Sequence, residues 1–232
     1  METLQVVTMS NIYVPSSEMR TILPLYESIP EGDGPFPTVI LWMHAPGMDD
    51  FSKKVLDDLA MAGYYAVGMD SYLNGKYNFQ NRSDDLMFAT YDVTTLWLKQ
   101  QPLADMERLG AIGFCMGGRH AYLTNAYYDH LKAVVSFYGF PHRGDEGSTP
   151  QNMIERFTAP HLSIFGAEDK GIPMEAVNAY KEESSKQDLD HRTIVYEGAG
   201  HGFLNFNSRN HSPEASEEAW SETIEFFDLY LK

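Results

Sequence analysis

Gly113-Phe114-Cys115-Met116-Gly117-Gly118 constrains this chain more than any other stretch, because it sets the only cysteine among glycines at a strand-to-helix junction. The apolar residues Leu109-Gly110-Ala111-Ile112 before it read as a buried strand, and the residues around Ala121-Tyr122-Leu123 read as a helix. A turn this sharp forces its central residue into strained dihedrals, and flanking glycines let neighbouring backbone pass without a Cβ clash. The Cys115 side chain is then expected at the end of the sheet, with a helix N-terminus beneath it. A lone cysteine is ordinarily a buried packing residue. The glycine spacing is what points to a nucleophile instead.

Around that turn the chain alternates between strand and helix patterns. Residues 3–9 and 19–26 read as an opening pair of strands with a turn at Pro15-Ser16-Ser17, and the apolar run 38–43 reads as a central parallel strand. Further strands are expected at 64–69, 133–137, 161–165 and 193–196, with helices at 51–61, 84–99, 174–186 and 213–231. The helix at 84–99 is expected to bury Leu86, Ala89, Val93, Leu96 and Trp97. Such alternation implies an α/β fold, a doubly wound, mostly parallel sheet with helices on both faces. No repeat, low-complexity tract or linker divides it, so one domain over 1–232 is expected.

Composition narrows the function classes. A formal charge of −16 argues against binding a nucleic-acid backbone, which relies on Lys and Arg. No apolar run is long enough to span a membrane, and the first residues lack the pattern of a secretory signal. A single cysteine cannot form an internal disulfide, which fits a reducing cytoplasm. Monomer and homodimer both remain open, because sequence periodicity does not reveal an interface.

In open α/β sheets reactive groups gather in loops at the carboxyl ends of strands. Two such loops suit a cysteine nucleophile: Gly166-Ala167-Glu168-Asp169, and Glu197-Gly198-Ala199-Gly200-His201-Gly202-Phe203. The chain order is therefore nucleophile, acid, base, the order of the α/β-hydrolase fold. His201 would take the Cys115 proton and return it to the leaving group, while Asp169 would fix the imidazole tautomer. Glu168 competes with Asp169, and the shorter carboxylate is preferred. His44 opens His44-Ala45-Pro46-Gly47 after the 38–43 strand, where an oxyanion loop belongs, so the Ala45 and Met116 N–H groups are the expected oxyanion donors. Tyr72, Phe140, Phe203 and Tyr138 lie in loops suited to lining a pocket or to packing, and the 141–150 segment with Arg143, Asp145 and Glu146 reads as a rim loop or a solvated excursion. No histidine pair shows metal-ligand spacing, and no glycine-rich loop suits a phosphate.

Taken together, the elbow Gly-Phe-Cys-Met-Gly-Gly, the Gly-Ala-Glu-Asp turn and Gly-Ala-Gly-His-Gly-Phe resemble the dienelactone hydrolase family of α/β-hydrolases. Ala62-Gly63-Tyr64-Tyr65-Ala66 followed by Asp70-Ser71-Tyr72 is similar to that family as well, and the match runs from about Thr38 to the C-terminus. The resemblance implies a hydrolase of small lactones or related esters, with Cys115, Asp169 and His201 as its triad and with neither metal nor organic cofactor. It also exposes two departures: His44 stands where the family's enzymes for the dienelactone carry glutamate, and Asn205 stands where they carry a substrate-clamping arginine. Arg82 is the nearest candidate for a second clamp. Substrate-binding expectations therefore fall on His44, Tyr72, Arg82, Phe203 and Asn205, with neutral esters favoured at the Asn205 position because an amide cannot pair a carboxylate as a guanidinium does. Two other readings are a catalytically silent relative that binds a small ligand in the same cleft, and a redox-responsive thiol protein. A burst, steady turnover or silence with an aryl ester separates them.

Overall fold

A computed structural model describes residues 6–78, 80–81, 83–144 and 148–232, except 17–20. Arg82, Asp145 and Glu146 lie outside the described residues. The chain divides into two compact units, Met1–Gly110 and Ala111–Lys232. Among the described residues the strands, numbered in chain order, follow one another as 1-2-4-3-5 in the first unit and as 5-6-7-8 in the second.

The first unit holds β1 (Val6–Ser16), β2 (Thr21–Pro30), β3 (Phe36–Trp42), α1 (Asp50–Met61), β4 (Tyr65–Met69), α2 (Asp84–Leu98) and most of β5 (Ala104–Phe114). β1 pairs antiparallel with β2, β2 antiparallel with β4, and β3 parallel with β4. β1 does not turn at Pro15 as the sequence suggests. It continues to Ser16, with Pro15 opposite Ile22. An edge strand tolerates proline because one row of its backbone groups needs no ladder partner. Val39, Ile40, Leu41 and Trp42 of β3 are buried, as their unbroken apolar run requires. α1 starts where Asp49 accepts the Ser52 N–H at 3.0 Å, and α2 where Ser83 accepts the Leu86 N–H at 3.2 Å.

α2 corrects the sequence reading. Its buried residues are Met87, Thr90, Tyr91, Val93, Thr94, Thr95 and Leu98, whereas Leu96 is 59% exposed. Threonine can enter a core when its hydroxyl is satisfied within its own helix. Here Thr90 Oγ1 donates to the Met87 carbonyl and Thr94 Oγ1 to the Thr90 carbonyl, each at 2.7 Å. Of the five residues that apolar periodicity selects, Val93 is buried, Leu86, Ala89 and Trp97 are half-buried and Leu96 is exposed.

The second unit continues from the end of β5 through α3 (Met116–Tyr127), β6 (Ala133–Phe137), a 3₁₀ segment (Pro150–Arg156), β7 (His161–Gly166), α4 (Met174–Ser184), β8 (His191–Tyr196) and α5 (Pro213–Leu231). β6, β7 and β8 pair in parallel. Beneath α3 lies a buried polar cluster. His161 Nε2 meets the Tyr180 hydroxyl, His161 Nδ1 lies 2.5 Å from His191 Nδ1, and Ser163 Oγ donates to the Tyr180 hydroxyl at 3.3 Å. Asn125, fully buried, donates to the Ala159 carbonyl and accepts from the Thr158 and Ala159 N–H groups, which ties the end of α3 to the segment entering β7.

Candidate active site

Cys115 sits between β5 and α3 with φ 57° and ψ −118°, the left-handed side of backbone space that an L residue enters only when its surroundings impose it. The glycines explain how. A Cβ on Gly113 would strike the Gly117 carbonyl, and a Cβ on Gly118 would lie 2.7 Å from Ser136 Oγ and 2.8 Å from the Gly139 Cα. The Cys115 N–H donates to the Phe137 carbonyl at 3.0 Å, which fixes the turn to the end of β6. The thiol is left partly exposed. Met116 opens α3, where the first-turn N–H groups of a helix have no intrahelical acceptor.

His201 stands on the loop after β8 and Asp169 on the loop after β7. His201 Nδ1 lies 2.6 Å from Asp169 Oδ2, and Asp169 Oδ1 accepts the Gly171 N–H at 2.7 Å. The carboxylate is thus buried with both oxygens engaged. Glu168, its neighbour, is exposed. Burial opposes charge on His201, but hydrogen bonds and charge from Asp169 and Cys115 outweigh it and push the imidazole up to about 9. Cys115 is thus near enough to bear on the charge of this ring.

Aromatic rings hold the imidazole. Phe140 stacks on His201 at 5.4 Å and 25°, Tyr138 packs at 5.1 Å, and the Arg143 guanidinium lies 3.7 Å over the Phe140 ring. Phe203 is fully buried against Phe137, Tyr138 and Tyr196, so it supports the loop from behind instead of facing a cavity. Asn205 accepts the Asn207 N–H on its side-chain oxygen at 2.8 Å, turned to its own loop. Asn210, a residue the sequence does not single out, donates to the His201 carbonyl at 2.8 Å.

In the first unit, the loop after β3 is braced at several points. His44 is buried, its Nε2 is 2.9 Å from Asp49 Oδ1, and its ring rests on Phe51. Burial would raise the Asp49 carboxyl, yet the contacts with His44 and the Ser52 N–H hold it below the usual range. The Tyr72 hydroxyl donates to the Ala45 carbonyl at 2.8 Å and Ser52 Oγ to the Gly47 carbonyl at 3.0 Å. His44 and Tyr72 therefore shape the loop that carries Ala45. Among the described residues, no three His, Cys, Asp or Glu side chains are grouped to hold a metal ion, and no helix is long and apolar enough to cross a membrane.

The model of the dienelactone hydrolase family matches residues 23–231. The chain belongs to the dienelactone hydrolase family. It is accordingly an ester- and lactone-hydrolysing enzyme of the α/β-hydrolase fold. Family relatives include a "putative carboxymethylenebutenolidase" of Methylorubrum extorquens, 27% identical over 90% of this chain and 77% of its own length. Another of the same name from Escherichia coli K12 is 28% identical over 90% and 83%. The crystal structure of a "putative dienelactone hydrolase" from Klebsiella pneumoniae superposes with a TM-score of 0.88, covering 96% of this chain and 99% of the other at 24% identity. At that identity the likeness speaks for the fold.

Proposed function

We propose that this dienelactone hydrolase-family enzyme cleaves small esters or lactones through a covalent thioester on Cys115. Cys115 Sγ attacks the carbonyl carbon, the ester C–O bond breaks, and the leaving oxygen takes the proton held by His201. Water then attacks the thioester and gives a proton to His201, the C–S bond breaks, and the carboxylic acid leaves with the thiolate and the protonated imidazole restored. Asp169 keeps the imidazole in the productive tautomer and stabilises its charged form. The Met116 N–H at the start of α3 serves the oxyanion.

The observation that supports the proposal is one imidazole bonded to a buried carboxylate and electrostatically coupled to a strained, partly exposed cysteine. The test is turnover of 4-nitrophenyl acetate with mass spectrometry of the quenched enzyme. Wild-type protein should carry an acetyl group on Cys115, and Cys115→Ala should lose turnover by at least about 10⁴-fold. Undiminished turnover in Cys115→Ala would overturn the assignment.

A further inference from the structure

Phe140 is buried and stacks on His201, so the tilt of that imidazole is set by a ring on a different loop, the one after β6. The ring carries a further layer. The Arg143 guanidinium rests 3.7 Å from its centre. A guanidinium is planar and weakly hydrated, so it lies flat on an aromatic face in a way that a lysine ammonium cannot copy. Both ends of this arginine are held. Its carbonyl accepts the Nε–H of Arg119, a buried residue in the first turn of α3, at 2.8 Å. Its Nη2 approaches the Gly171 carbonyl at 3.5 Å. Gly171 is also the residue whose N–H binds Asp169 Oδ1, and a Cβ there would lie 3.3 Å from that oxygen and 3.6 Å from Phe140 Cε1. Guanidinium, phenyl ring and carboxylate thus converge on one glycine, with the imidazole stacked on the ring.

A ring standing on a loop needs such a brace. An imidazole that turns about its own side chain loses the 2.6 Å contact with Asp169, and a displacement of about 1 Å can cost on the order of 10²-fold in rate. We infer that Arg143 is a positioning residue: its guanidinium holds Phe140 against His201 and so keeps the imidazole on Asp169. The inference rests on the proposed role of His201 as proton carrier. Arg143 acts through the ring and not on the substrate, so its flat face is required and its charge alone does not suffice.

The test uses Arg143→Ala, which removes the contact, and Arg143→Lys, which keeps the charge. Arg143 is exposed, so neither change empties the core. With 4-nitrophenyl acetate, a neutral ester, both variants should lose kcat about tenfold or more while KM stays within about twofold. Recovery of kcat by lysine, or a loss carried by KM, would overturn the inference, because either outcome means that the charge serves the substrate. Phe140→Leu keeps its buried site apolar and should be impaired as well. Adding Arg143→Ala to it should change kcat by no more than about twofold. Losses that multiply would refute action through the ring. Proton NMR separates this from a failure of the catalytic reading, because it needs no turnover. The Nδ1–H proton of the His201–Asp169 bond should exchange with water at least about tenfold faster in Arg143→Ala than in wild type. An unchanged exchange rate refutes the positioning role even in an enzyme inert toward the ester.

Discussion

Two histidines of the second unit have opposite acid–base behaviour for reasons visible in their neighbours. His161, fully buried at the start of β7, is held well below the ordinary histidine range, first by burial and then by the charge of His191. Its hydrogen bonds go to a tyrosine hydroxyl and to another imidazole. His201 is also desolvated, yet it is pushed up to about 9 because its partners are a carboxylate and a thiol. Burial alone lowers a histidine; an anionic partner reverses the sign. One ring is thereby fixed neutral as a structural element, and the other is kept ready to carry a proton.

The strongest way to break the comparison is to remove the partner that separates the two. His201→Ala should lower kcat by roughly 10²–10⁴-fold, the range of lost general acid–base catalysis. Asp169→Asn should cost about 10²-fold or more by favouring the wrong tautomer, while Glu168→Gln should leave kcat within about twofold. Steady-state kinetics on one aryl ester reads all three. A damaging Glu168→Gln with a silent Asp169→Asn would reassign the acid. In an NMR titration, the His201 value near 9 should fall both in Asp169→Asn and in Cys115→Ala, since each partner raises it. His161 should stay neutral throughout.

Stability should follow pH with two arms of different origin. The His201 pKa is raised above its unfolded value of 6.5, so its contribution is fully present below 6.5 and is lost as pH rises through about 9. The His161 pKa is depressed, so its contribution is present above 6.5 and is lost as pH falls. Tm measured against pH should therefore peak near 6.5, and His201→Ala should flatten the alkaline arm. The smallest effect probes the quieter histidine. Tyr180→Phe strands His161 Nε2 in the core and should cost about 1–3 kcal/mol in denaturant unfolding without moving the pH–rate profile. A change in that profile would couple the buried cluster to the chemistry and blur the contrast.

Legibility in the sequence followed the locality of the physics. The elbow is readable because Gly113 and Gly118 answer a backbone demand within six residues, and the helix over Pro213–Leu231 because its proline and amphipathic pattern are local. On α2 apolar periodicity finds Val93 but misses Thr90 and Thr94, which hide their polarity in bonds to their own helix. Phe203 carries no mark that separates a pocket wall from a core ring; only its packing against Phe137 and Tyr138 does.

The close approach of Gly118 to Gly139 has a consequence for how this enzyme can change. A Cβ at either position collides with the backbone of the other segment, at 2.8 Å from the Gly139 Cα in one direction and 2.7 Å from the Gly118 carbonyl carbon in the other. Neither site can accept a side chain first and wait for its neighbour to adapt, because the obstacle is main chain, not a movable group. The floor of the elbow is thereby closed to stepwise variation, since a side chain at either glycine demands a concerted shift of both main-chain segments.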